Sequence, residues 1–167
     1  YKIKVQNKNA EKLNRKLDEL NAPQFLRDYL NELESKSGAL NYLVAIKDFL
    51  QWLIESNIIK KKSISEIEAS DFSDLRPQNV SSYLRYKEIN GMSPTTTETR
   101  KNIIKSFIQD IYSYRECLLR ELYNSMKDFN KQIKYKGISY KNNLTQKLPT
   151  ENQLNDMEEK IMWKKDE

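Results

Sequence analysis

The chain contains no histidine, one cysteine (Cys117), three glycines and four prolines in 167 residues. Each shortage excludes something. Without histidine there is no His-based metal site, and the side chain that most often acts as a general base near neutral pH is missing. A single thiol cannot close an internal disulfide, which suits a reducing cytoplasm. Glycine and proline together fall far below the roughly 12% of an average domain, and valine occurs only at Val5, Val44 and Val80. So few turn-formers and so little valine argue against a sandwich, a barrel or a doubly wound sheet. No apolar run approaches the ~18 residues of a membrane span, and no signal-peptide pattern opens the chain. No membrane association and no cofactor are expected. The chain opens on Tyr1 rather than Met, as expected of a fragment.

What is abundant is charge, with 29 Lys and Arg against 24 Asp and Glu and a net charge of +5. It is unevenly placed. Residues 1–16 carry Lys2, Lys4, Lys8, Lys12, Arg15 and Lys16 against Glu11, whereas the stretch from Leu17 to Ile59 is net acidic. Residues 127–147 carry Lys127, Lys131, Lys134, Lys136, Lys141 and Lys147 against Asp128 alone, and residues 148–167 are acidic again. A basic segment interleaved with Tyr135 and Tyr140 suits a path along phosphates, where counterion release favours binding. The plainer reading is a solvated charged linker. Lys60-Lys61-Lys62 reads as an ordinary loop.

Helical periodicity recurs along the chain. A first helix is expected from about Ala10 to Leu20. Asn21 and Pro23 look like a start signal, followed by Phe25, Leu26, Tyr29, Leu30 and Leu33 on one face. Ser37 is placed to cap the next helix, whose stripe is Tyr42, Ile46, Phe49, Leu50 and Leu53, widened by Trp52 and Ile54. Ser63 and Glu66 have capping-box spacing and open a polar turn tacked down by Ile67, Phe72 and Leu75. Pro77 fits the first turn of a helix burying Val80, Tyr83 and Leu84, with a left-handed stop at Asn90-Gly91. Ser93-Pro94 starts a helix with Ile104, Phe107, Ile108 and Ile111 as its stripe. Ser113 and Glu116 repeat the capping-box spacing, and a further helix carries Leu118, Leu119, Leu122, Met126 and Phe129. Asn130 to Pro149 reads as a polar linker and Glu151 to Trp163 as a short helix. The fold class is all-α, a bundle of four or five helices with a trailing linker.

The helix that opens at Pro94 has two unlike halves. Its first two turns read Thr95, Thr96, Thr97, Glu98, Thr99, Arg100, Lys101, Asn102, with no apolar residue on any side. A helix polar all round projects beyond the core or needs a partner. A helix N-terminus offers free N–H groups and a positive dipole end to phosphate, and Thr, Asn and Arg are side chains that contact backbone and base edges. The combination fits entry into a DNA groove; the alternative is a well-capped surface helix. Lys36, Ser37 and Asn41 make a similar polar beginning ahead of the Trp52 stripe.

These elements resemble a known domain in order and spacing. Gly38-x3-Tyr42-x3-Ile46-x2-Phe49-x2-Trp52-Leu53 resembles the second helix of the core-binding domain of tyrosine site-specific recombinases, the phage and transposon integrases. Val80-x2-Tyr83-Leu84, Gly91-x-Ser93-Pro94-x-Thr96 and Ile104-x2-Phe107 resemble that family's third helix, turn and fourth helix. Lys147-Leu148-Pro149-Thr150-x3-Gln153-Leu154 resembles the Leu-Pro that ends the interdomain linker and opens the catalytic domain. The match covers about residues 24–160. It implies a SAM-like four-helix domain on one face of double-stranded DNA, in a bacterial or phage protein acting in recombination and integration. It further implies that the polar starts of the second and fourth helices meet the major groove and that the basic linker crosses the backbone. The contacts expected from this are Lys36, Ser37, Asn41, Thr95, Thr96, Thr99, Arg100, Lys101 and Lys105, with Lys131, Lys134, Lys136 and Lys141 in the linker.

Three departures stand out. Gly38 occupies a position where Ser or Thr is usual, Lys101 one where an apolar residue is common, and no Asn-Pro follows the fourth helix, where Tyr114 to Phe129 is expected as an extra helix. The family's chemistry uses an Arg, a Lys, a His-rich cluster with a second Arg, and a Tyr nucleophile in a separate domain. The sequence leads to no catalytic role for this chain: its tyrosines at helical spacing read as core, and Cys117, beside Leu118 and Leu119, has no His to activate it. The resulting layout is a basic extension or short helix over 1–20, a DNA-binding core over 21–130, a basic linker over 131–149, and the start of a catalytic domain over 150–167. The fragment is expected to be a monomer and its parent a tetramer on DNA. The competing reading is a helical protein-interaction module docking a partner through Leu119, Tyr123 and Met126. A helix-turn-helix regulator fits less well, because no compact helix pair with a dimerisation segment stands out.

Overall fold

The computed structural model describes residues 1–112, 129–135 and 137. Among these residues the architecture is all-α, with five α-helices and three short 3₁₀ turns and no strand. The first helix, α1 (Lys2–Leu20), is longer than its apolar pattern suggests. The expected start near Ala10 marks only where the helix meets the bundle: Leu13 and Leu17 are fully buried. Upstream of them no proline or glycine interrupts a run of lysine and asparagine, so the helix continues outward to Lys2. The division at residue 20 is thereby corrected, since the second half of α1 belongs to the core.

Asn21 ends α1 in the left-handed region (φ 55°), its N–H meeting the Asp18 carbonyl at 3.0 Å. It is a stop for α1 rather than the start signal of the next helix. Pro23 supplies the extended residue ahead of α2 (Gln24–Asn31). Ser35, not Ser37, caps α3 (Lys36–Glu55), its Oγ accepting the Gly38 N–H at 3.1 Å. This central helix buries Ala39, Leu43, Ala45, Ile46, Phe49, Leu50 and Leu53 and lies against α1, α2 and α5.

The connection to α4 is pinned by Ile64, Ile67, Phe72 and Leu75, all buried. The capping box expected at Ser63 and Glu66 does not form; the Ser63 hydroxyl bonds Ser65 at 2.8 Å instead. The reciprocal pair is Glu68 and Asp71, with Asp71 Oδ2 accepting the Glu68 N–H at 2.8 Å. Pro77 does open α4 (Pro77–Ile89), which buries Val80, Tyr83 and Leu84. Gly91 turns the chain at φ 106°, where a side chain would be strained. Ser93 then caps α5 (Pro94–Asp110) by accepting the Thr96 N–H at 3.2 Å. Phe107 joins three elements, its ring lying 5.4 Å from Tyr29, 6.0 Å from Phe72 and 6.3 Å from Phe25.

Residues 130–135, expected as linker, and Phe129, expected at the end of the extra helix, form one packed segment. Phe129, Ile133 and Tyr135 are buried against the bundle, and the stretch lies over α4 and α5. Asn130 Nδ2 donates to the Lys105 carbonyl at 2.9 Å and the Tyr135 hydroxyl to Glu88 Oε1 at 2.6 Å. The segment is a strap whose apolar residues are spaced among lysines. The helix expected from Tyr114, Cys117 within it, and the helix from Glu151 lie outside the described residues, as do Leu119, Tyr123 and Met126.

Candidate nucleic-acid interface

The first turns of α5 divide by face. Thr95, Thr96 and Thr99 stand at the surface, and the apolar stripe begins only at Ile103. Thr96 shares its hydroxyl with the cap, accepting from Ser93 Oγ at 2.9 Å. Thr97 departs from the expectation of an all-polar, all-exposed start. It is 3% exposed and satisfies its hydroxyl on the Ser93 carbonyl at 2.8 Å.

Arg100 is the main correction among the expected contacts. Its side chain is only 13% exposed and turns into the bundle, where NH1 donates to Asp48 Oδ2 and to the Tyr83 hydroxyl, both at 3.0 Å. Lys87 reaches the same Asp48 oxygen at 3.0 Å, and Tyr83 donates its O–H to it. Burial alone would raise the Asp48 carboxyl. The hydrogen bonds from Tyr83 and Lys87, with the charges of Lys87 and Arg100, outweigh burial and hold it below its ordinary 3.8. The Tyr83 phenol is driven well above its ordinary 10.0 by burial and then by the Asp48 carboxylate. This network ties α3, α4 and α5 together and leaves Arg100 committed to protein rather than to a groove. No local signal marks this partner, since Asp48 lies 52 positions from Arg100 on another helix.

Two other expected cations are also engaged within the fold. Lys101 Nζ sits 3.1 Å from Glu98 and 3.4 Å from the Tyr135 carbonyl. Lys36 Nζ donates to the carbonyls of Asn31 (2.6 Å) and Leu33 (2.9 Å), closing the C-terminal end of α2. Lys105 is half-buried, while Lys131 and Lys134 are exposed on the strap. Lys136 and Lys141 lie outside the described residues.

At the start of α3, Ser37 and Asn41 are exposed, but α1 runs beside them. Gln6 donates to the Glu34 carbonyl at 2.7 Å and accepts the Lys36 N–H at 3.4 Å. Ser37 and the first turns of α1, including Lys2, Ile3 and Gln6, line one open hollow. Sequence reasoning did not include this helix in the interface, although its lysine run was visible.

Among the described residues no three His, Cys, Asp or Glu side chains converge on a metal position. No helix among them is long and apolar enough to cross a membrane. The chain matches no family model, and no curated protein or solved structure shows significant similarity to it.

Proposed function

We propose that the chain is a duplex-DNA-binding module of the SAM-like kind that its motifs resemble, the core-binding domain of a tyrosine recombinase, gripping half of a crossover site. The observation that carries the reading is the Ser93-capped start of α5, where Thr95, Thr96 and Thr99 stand outward before the first buried apolar residue. Small hydroxyl side chains around a positive helix end can approach phosphate closely and contact base edges. Ser37 and Asn41 add a second polar helix start. Arg100, Lys101 and Lys36 act within the fold to set these surfaces, not as DNA contacts. The breaking and joining of strands belongs on this reading to a catalytic domain of the parent protein.

The test is fluorescence anisotropy with a labelled duplex at two salt concentrations. Binding that weakens steeply with salt is expected. Replacing Thr95 and Thr99 by Ala should weaken binding about tenfold, the scale of one or two polar contacts, at unchanged Tm. Thr96 is left in place because its hydroxyl belongs to the cap. Absence of duplex binding at low salt, or binding indifferent to salt, overturns the reading.

A further inference from the structure

The cations of α1 form a surface that the groove contacts above do not use. With 3.6 residues per turn, Lys4, Lys8, Lys12, Arg15 and Lys16 fall within an arc of about 120°. Leu13 and Leu17, fully buried, lie on the opposite side and fix which way the helix faces. The basic arc therefore points away from the bundle, and all five of its cations are exposed. Between Lys2 and Ala10 there is no acidic residue at all. Glu11 sits at the edge of the arc, and Glu19 meets Arg15 only at 3.9 Å with both side chains largely exposed, a contact of little energetic weight.

We infer that α1 is a phosphate-tracking rail, a second nucleic-acid surface that extends the contact beyond the α5 and α3 starts; this rests on the duplex-binding reading. Its length suits the partner. Lys4 to Lys16 spans about 18 Å of helix axis, while duplex DNA carries one charge per ~1.7 Å of its own axis. The rail is a surface apart from the α3 start: the hollow beside Ser37 is lined on α1 by residues such as Lys2, Ile3 and Gln6, and by none of the five rail cations. Long lysine side chains with no fixed acceptor read charge and not sequence, so the rail adds affinity without specificity. An anionic membrane is a poorer match. The helix spends Leu13 and Leu17 on the core, and its exposed Ile3 and Val5 lie about 160° apart, so no apolar face is left to enter a bilayer.

The experiment compares three variants of the whole chain in the duplex titration. Lys4, Lys8, Lys12 and Lys16 are changed to Gln in the first. Lys47, Lys60, Lys62 and Arg85, exposed cations elsewhere on the bundle, are changed to Gln in the second. Thr95 and Thr99 are changed to Ala in the third. The first should bind at least ~10-fold more weakly at low salt, with a log-log salt slope shallower by about 3.6, since each phosphate that a lysine neutralises adds about 0.9 to it. The second removes the same charge and should change the slope by less than about 0.9, the share of a single phosphate. Equal effects of the first and second reduce the rail to net charge and overturn it. Weaker binding by the third variant but not by the first overturns the rail while leaving the duplex reading standing. No binding by the wild-type chain overturns both, and binding to anionic vesicles through these lysines in place of duplex overturns the rail as stated. Glu11→Gln removes a like-placed acid and should tighten binding about twofold; weaker or unchanged binding counts against the rail, and a misfolded variant cannot imitate the gain.

Discussion

Arg100 NH1 and Asp48 Oδ2 meet at 3.0 Å across the junction of α5 and α3, in a pocket closed from a third side by Tyr83 of α4. The Tyr83 ring packs 5.0 Å from Phe49 and 5.5 Å from Trp52. The apolar aromatic contact and the ion pair thus belong to one joint, in which the phenol turns its body to the core and its hydroxyl to the carboxylate.

Removing Asp48 should cost more than removing Arg100. Asp48→Ala leaves a 13% exposed guanidinium and the Tyr83 hydroxyl short of their shared acceptor, a loss of about 1–3 kcal/mol. Arg100→Ala leaves Asp48 with Lys87 and Tyr83 and should cost about 1 kcal/mol. A urea-unfolding double-mutant cycle should give a coupling of about 1 kcal/mol. Additive losses would show that the two side chains do not act on each other.

The same carboxylate predicts the acid limb of the stability curve. Its folded-state value lies below the 3.8 of the unfolded chain, so its contribution is complete above 3.8 and disappears as pH falls through the lower folded value. Tm should therefore fall as pH drops below 3.8. Asp48→Asn should start lower at neutral pH and fall less steeply. Parallel curves for the two proteins would remove Asp48 from the acid transition.

The strap shows what could and could not be seen in the residues alone. Pro77, Gly91 and Ser93-Pro94 announced their turns, because each changes backbone preference locally. Thr97 and Arg100 were not legible, since a helix start looks equally polar whether a side chain faces solvent or an acid 52 positions away. Phe129 reads in the sequence as the end of a helix and Tyr135 as an aromatic among linker lysines, and Ile133 carries no signal at all; so few apolar residues among lysines show no period that marks burial. Their burial depends on a groove that other segments build. The cap expected at Ser37 moves to Ser35, which holds the extended backbone that a cap needs, while Ser37 lies inside the helix.

Gly137 should prove the least replaceable residue of that strap. It adopts φ 84°, and a Cβ there would lie 2.9 Å from Glu88 Oε1, the acceptor of the Tyr135 hydroxyl. Gly137→Ala adds backbone strain of about 1–2 kcal/mol and displaces the same carboxylate. Tyr135→Phe removes only the 2.6 Å hydrogen bond, about 1 kcal/mol. Faster amide exchange at Ile133 and Tyr135 is expected in both variants, with the larger change in Gly137→Ala. Exchange unchanged in both would mean that Glu88 does not hold the strap.

Arg27 should decide whether α1 stays on the bundle. Its Nε donates to the Ala22 carbonyl at 2.9 Å, NH2 to the Leu17 carbonyl at 3.1 Å and NH1 to Asp18 at 2.7 Å. Two of these are main-chain acceptors where α1 ends and the chain turns into α2: the Leu17 carbonyl in the last turn and the Ala22 carbonyl just beyond the Asn21 cap. Arg27→Ala takes the side-chain donor from the Ala22 carbonyl in a partly buried corner, while the Leu17 carbonyl keeps the Ala22 N–H at 3.0 Å, and should cost about 1–3 kcal/mol. Arg27→Lys should recover only part of this, because one ammonium cannot span three acceptors held in a fork. The loss should be local as well as global, with amide protection falling first from Leu13 to Ala22. If protection falls evenly over all five helices instead, α1 is no separate unit of the bundle, and a rail mounted on it cannot be loosened without unfolding the rest.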